Sequence, residues 1–192
     1  MSISRMAALP WLIWFMSLGA SAPCFAGTES ASIEISEVKG GYELTVPVSR
    51  LVMSLPGSSL VQNPDHPGHA TNGPRYFYFE DHAQGLVLSG WFEPEQGFRG
   101  MQQFWQGETR AWKKAGLPEP RDVVFRKVGK WDAVAYSIPI PGANNAHLRA
   151  HWLQAGTWID IHLSLTSKMP DAENRAKLET MLKAIQVRQK SP

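Results

Sequence analysis

The sequence predicts an α+β fold: an antiparallel sheet of hairpins packed with two main helices, at 98–115 and 171–186. Three observations carry this expectation. Several segments alternate apolar and polar residues with period 2, as half-buried strands do. Two longer segments repeat apolar residues at helical spacing. Short turn-forming stretches join consecutive strands, which makes those strands antiparallel neighbours.

Residues 27–41 are small and polar and read as a lead-in with a short edge strand around Ile33 and Ile35. Tyr42, Leu44, Val46 and Val48 then alternate with polar residues and open a single domain over 42–188. Leu51 to Leu55 is a second short run, closed by Pro56. Gly57 to Pro74 has almost no apolar periodicity and carries Pro64, Pro67 and Pro74. A loop of that length in a small domain is commonly functional or mobile. Arg75–Glu80 and Leu86–Glu93 are aromatic and β-branched runs that form a hairpin. Aromatics at consecutive positions 76–79 mean that both faces of that strand meet apolar surface.

Helical spacing begins at Phe98. Met101, Phe104, Trp105, Ala111, Trp112 and Ala115 fall on the same broad stripe, with Gln102, Arg110 and Lys113 away from it. Gly116 stands where a left-handed residue ends a helix, Leu117 can pack back on Trp112, and Pro118 prevents continuation. In the next hairpin a Gly129-Lys130 turn pairs Val128 with Trp131, Phe125 with Val134 and Val123 with Tyr136. Val123, Phe125, Val134, Tyr136 and Ile138 then share an apolar face.

The third hairpin has a register that can be derived. Leu148, Ala150 and Trp152 must share a face with Ile159, Ile161 and Leu163, because a one-residue slip inverts every side chain. A two-residue Ala155-Gly156 turn meets that condition and sets Trp152 against Ile159. The final helix starts near Pro170-Asp171, and Leu178, Met181, Leu182 and Ile185 form its stripe. Glu173–Lys177 and Glu179–Lys183 are spaced as i,i+4 pairs.

Residues 1–26 read as a secretory signal peptide. Arg5 precedes the apolar run Met6 to Leu18, and Cys24-Phe25-Ala26 offers small residues at the cleavage positions. Retention as an anchor is the alternative. Cleavage removes Cys24, the one cysteine in the chain, so no disulfide can hold the domain and its apolar core must suffice. The expected compartment is periplasmic or secreted, with no membrane span after cleavage. Arg5 leaves as well, which lowers the net charge from +2 to +1. Such a balance argues against a nucleic-acid partner.

Val52-Met53-Ser54-Leu55-Pro56, the central helix from Phe98 to Ala115, and a closing helix running into Ile185-Gln186-Val187 complete a pattern over about 42–188. In an exported domain this pattern resembles the Mog1/PsbP-like group. The resemblance implies an α/β/α sandwich and a binding or assembly role without a shared catalytic residue set.

Three constellations are candidates for function. The face of the third hairpin opposite its apolar side carries His147, Arg149, His151 and Leu153 on one strand, with Trp158, Asp160 and His162 on the other. The register sets His151 against Asp160 and Arg149 against His162. This face is either a solvated polar surface or a ligand or partner surface. His66 and His69 lie in the long loop, and with His151 and His162 they could supply imidazoles to a metal. Tyr76, Phe77, Tyr78, Phe79, Trp91 and Phe92 could line an apolar groove.

Catalytic motifs are missing from the sequence. No G-x-S-x-G elbow, paired acidic motif or Gly-rich phosphate loop is present, and no cofactor is expected. The expectation is an exported, non-catalytic binding module, an accessory, assembly or inhibitor/immunity-type factor with a protein partner. A small-ligand or metal-binding envelope protein using the 147–166 hairpin is the alternative, and an unrecognised hydrolase is the second. A concavity joining the long loop to the His/Asp face would favour the ligand reading. A flat exposed patch containing Leu153 and Trp158 would favour the protein partner.

Overall fold

A computed structural model describes residues 31–190, so the expected signal peptide lies outside the described residues. The domain opens with strands β1 (Glu34–Val38), β2 (Gly41–Val46) and β3 (Leu51–Pro56). Next come β4 (Val61–Gln62), a short helix α1 (Gly68–Asn72), β5 (Tyr76–Asp81) and β6 (Leu86–Pro94). Helix α2 (Met101–Lys114) leads to β7 (Arg121–Val128), β8 (Trp131–Ser137), β9 (Asn144–Gln154) and β10 (Thr157–Ser167). Helix α3 (Asp171–Ala184) and β11 (Gln186–Gln189) close the chain. Among the described residues no helix is long and apolar enough to cross a membrane.

The strands form two antiparallel sheets rather than one, so the fold is mostly sheet with few helices. The smaller has the order β1-β2-β3-β11 and the larger β4-β5-β6-β10-β9-β8-β7. Alternation identified most of the strands but could not say which of them share a sheet. Strand β11 escaped prediction because Gln186-Val187-Arg188-Gln189 holds a single apolar residue. Its place is fixed by backbone pairing to β3.

The main core lies between the sheets and α3. Leu44, Leu51 and Met53 of the small sheet meet Phe77, Phe92, Ile159 and Ile161 of the large one, and Leu178 and Leu182 of α3 join them. Val48 lies past the end of β2 and is exposed. Gly90 sits at a tight point of this core. A Cβ there would collide with the Asp160 carbonyl oxygen and come 2.7 Å from Phe77 Cζ. Gly90→Ala is therefore expected to destabilise the domain by about 1–3 kcal/mol, read from urea unfolding. A loss below about 0.5 kcal/mol would mean the two strands are less closely apposed.

The opposite face of the large sheet carries a second core, made by Met101 and Trp105 of α2 with Val134 and Tyr136 of β8. Helix α2 stops as expected. Gly116 has φ +67° and its N–H donates to Lys113 O, while Leu117 N–H donates to Trp112 O.

The third hairpin keeps its derived register throughout, with Trp152 opposite Ile159 and His151 opposite Asp160. The second departs from it. Val128–Trp131 and Phe125–Val134 pair as expected, but the register shifts between Arg121 and Val124. Asp122 takes φ +51°, in the left-handed region that aspartate tolerates. Val123 therefore does not face Tyr136. Phe125 is 43% exposed although Val134 beside it is buried, because β7 is the sheet edge and α2 covers only its inner neighbour.

The ion pairs on α3 are not the expected Glu173–Lys177 and Glu179–Lys183, although Asp171–Arg175 keeps the i,i+4 spacing. Arg175 bonds Asp171, and Glu179 reaches across to Arg126 on β7. At Glu179, pairing with the sheet replaces pairing along the helix.

Candidate functional site

Alternation places Asn145, His147, Arg149 and His151 of β9 on one face with Asp160, His162, Ser164 and Thr166 of β10. Ser89 and Trp91 of β6 stand beside His162 and Asp160, and Tyr78 and Tyr76 of β5 beside those. Tyr136 of β8 lies against His147. This continuous band crosses five strands.

The expected solvent-facing surface is in fact buried. His147, Arg149, His151, Asp160 and His162 are all covered, and Asp160 has no exposed surface. Helix α2 with the segment before it supplies Phe98 and Phe104 as the cover. Of the seven residues proposed for a partner surface, Leu153 is 38% exposed and Trp158 is half-buried, packed on Phe98 and His151. Polarity misled here: charged residues on a strand read as solvated, but Arg149 and Asp160 pair with each other.

Arg149 and Asp160 form a two-pronged ion pair, with Nε 2.6 Å from Oδ1 and Nη2 donating to Oδ2 at 2.8 Å. They are diagonal neighbours, so the directly opposed pairing understated their contact. His151 Nε2 lies 3.3 Å from Asp160 Oδ2. The guanidinium is stacked on Trp91 and Phe104, at 4.5 and 4.9 Å from the ring centres. Burial pushes the Asp160 carboxyl up, but Arg149 and His151 outweigh it and hold it below the usual carboxylate range. Glu108 of α2 is half-buried and its carboxyl is raised by burial, partly offset by Arg149.

A neutral group adjoins this charged one. Tyr136, His147 and His162 stack nearly parallel, with Tyr136 and His147 ring centres 4.8 Å apart and His147 and His162 5.2 Å apart. His162 Nε2 is 3.0 Å from His147 Nδ1 and 3.2 Å from the Tyr136 hydroxyl. Burial drives the His147 imidazole down to about 3 and His162 well below its ordinary value. Both rings are neutral at physiological pH, since two adjacent imidazolium charges without solvent would be strongly disfavoured.

The long loop is ordered against this band. His66 stacks on Tyr78 at 3.7 Å, and its Nδ1 accepts the Gly68 N–H at 3.1 Å. His69 packs edge-on to Tyr76, with Nε2 3.2 Å from Asn63 O. Between loop and sheet lies a cleft of about 450 Å³. His66, Tyr76, Tyr78 and Glu80 form one wall, and Ser89, His162, Ser164 and Asn145 the floor. Asn145 is 6% exposed, and its Oδ1 is buried without a hydrogen-bond partner. A hollow of about 540 Å³ beside α3, lined by Leu60, Leu165 and Met181, contains no such atom.

The histidines offered for a metal are not brought together. His66 and His162 line the cleft, His69 is turned to Tyr76, and His151 is enclosed by Phe98, Phe104 and Trp158. Among the described residues no group of three His, Cys, Asp or Glu side chains is arranged to hold a metal ion.

Sequence reasoning missed Asn145, Tyr136 and Glu108. Extending the polar alternation of β9 back by two residues reaches Asn145, and that signal was legible. Glu108 follows Phe104 by one helical turn, but nothing local says what it faces.

No family model matches the chain, and no curated protein does. Among solved structures it is similar to a protein from Bacteroides thetaiotaomicron. The two share 12% identity and a TM-score of 0.46, over 79% of this chain and 50% of the other. The chain thus spans about half the length of that protein.

Proposed function

We propose that this chain is an exported binding module that holds a small ligand in the cleft between its long loop and the His/Asp face. The observation that carries the reading is the cleft itself: a concavity whose floor includes Asn145, a buried amide whose Oδ1 has no hydrogen-bond partner. An unsatisfied buried acceptor is costly, at about 1–3 kcal/mol, and a ligand donor met by rotation of that amide toward the cleft would remove that cost. The buried Arg149–Asp160 pair, and His147 behind the floor's His162, serve as rigid support. On the same reading the fold is a Mog1/PsbP-like α/β/α sandwich, supported by helices on both sides of the seven-stranded sheet.

The test is thermal stability across a small-molecule panel. A binder at a hundred times its Kd should stabilise the domain by about 2.7 kcal/mol. Ser164→Trp, which fills the floor, should remove the effect, and Leu153→Ser should leave it intact. Stabilisation that survives Ser164→Trp would place binding elsewhere.

A protein partner is the second reading, favoured by edge strand β7. It carries Val123, Val124 and Phe125 exposed beside a free sheet edge, which suits strand addition. Phe125→Lys should then abolish co-purification of a partner without affecting ligand stabilisation.

A further inference from the structure

We infer that the cleft takes an uncharged saccharide unit, an inference that rests on the cleft being the binding site. Charge and hydrogen-bonding capacity decide the class. An anion finds no cation, since neither Lys nor Arg is among the residues lining the cleft. The nearest guanidinium along the band, Arg149, is engaged by Asp160. Glu80 and Asp81 would repel a negative ligand.

A cation is no better served. Asp81 accepts hydrogen bonds from Ser59 Oγ at 2.6 Å and from the Gln84 side chain at 2.6 Å. Glu80 accepts one from Asn63 at 3.1 Å and lies 3.5 Å from His82. Both carboxylates are occupied by protein partners. The floor below them, Ser89, Ser164, Asn145 and His162, is uncharged, so a desolvated cation would meet no counter-ion there.

What the floor does offer is neutral. The Asn145 amide, turned toward the cleft, would bring its unpartnered Oδ1 to a donor, and the hydroxyls of Ser89, Ser164 and Thr166 can each donate and accept. Leu86, Val87 and the rings of His66 and Tyr78 supply apolar surface. Hydroxyl or amide donors around an edge, combined with apolar C–H faces, are the properties of a pyranose ring. The volume is within the usual range for small-ligand sites.

Saturation-transfer NMR on the exported mature chain tests the inference, with imidazole resonances of His162 as the protein-side readout. The probes are N-acetylglucosamine and maltose as neutral sugars, glucosamine and glucuronate as charged ones, and indole as an apolar control. A neutral sugar is expected to bind at millimolar concentration and shift His162, with charged sugars at least tenfold weaker. Asn145→Ala should weaken the neutral sugar at least tenfold, and Ser164→Trp should abolish its binding. Charged sugars or indole shifting His162 while neutral sugars do not would overturn the saccharide class and leave the cleft reading standing. No probe reaching His162 would overturn both, and so would neutral-sugar binding indifferent to the two substitutions.

Discussion

Asp160→Ala is expected to cost the domain about 3–5 kcal/mol, a large part of the 5–15 kcal/mol typical of such folds. The substitution leaves the Arg149 guanidinium buried between Trp91 and Phe104 without its carboxylate. His151 loses the same oxygen. The penalty comes from the uncompensated charge, not from the intrinsic worth of the pair. Arg149→Met combined with Asp160→Leu should therefore recover most of the loss, because desolvating two charges consumes much of what their attraction returns. Urea unfolding of the single and double variants checks this. A single-variant loss below about 0.5 kcal/mol would mean that water reaches the pair.

The second large effect is acid sensitivity. His147 and His162 have folded-state values far below their ordinary 6.5, His147 at about 3. Below about pH 6.5 the unfolded chain binds protons that the folded chain refuses. Stability is thus full above that pH and falls as the pH drops toward the folded values. Each histidine contributes a slope of up to about 1.4 kcal/mol per pH unit. His66, half-buried and lowered by burial, acts in the same direction. Glu93 and Glu108, raised by burial, act oppositely where carboxylates titrate. Asp160, held low, loses its contribution only below about pH 4. The interval from pH 6.5 to about 5.5 is where the unfolded chain's histidines take up protons, above the range of ordinary carboxylates. Urea midpoints should fall steeply there, and His147→Phe with His162→Phe should flatten the fall. A wild-type midpoint constant over that interval would contradict the buried, neutral assignment.

Much of the fold could be read from the residues because local rules agreed with tertiary ones. The Ala155-Gly156 turn and the apolar set of the third hairpin left one register, and that register is observed. Gly116 and Leu117 ended α2 as their chemistry demands. The division into two sheets was not legible, since alternation reports how a strand is exposed and not which strand it joins. The bulge at Asp122 was hidden for a related reason: Val123, Val124 and Phe125 in sequence give no sign of which one breaks the alternation.

The site was half legible. His147, Arg149, His151, Asp160 and His162 were picked out as one face, and they are one face. Their burial is not legible, because an apolar stripe such as that of Phe104 and Trp105 on α2 ordinarily packs on apolar surface and not on a charged face. The cleft arises where α2's cover ends and the long loop's begins, a boundary set by packing that no single segment encodes.

The most direct measurement is the pH titration of the His162 imidazole, followed by ring 15N chemical shifts. A floor sealed beneath the cleft predicts a ring that stays neutral as the pH falls through 6.5, with its resonances moved by the cleft's ligand. A ring that titrates near 6.5, as a solvated histidine does, would contradict the buried neutral floor on which the proposed site depends.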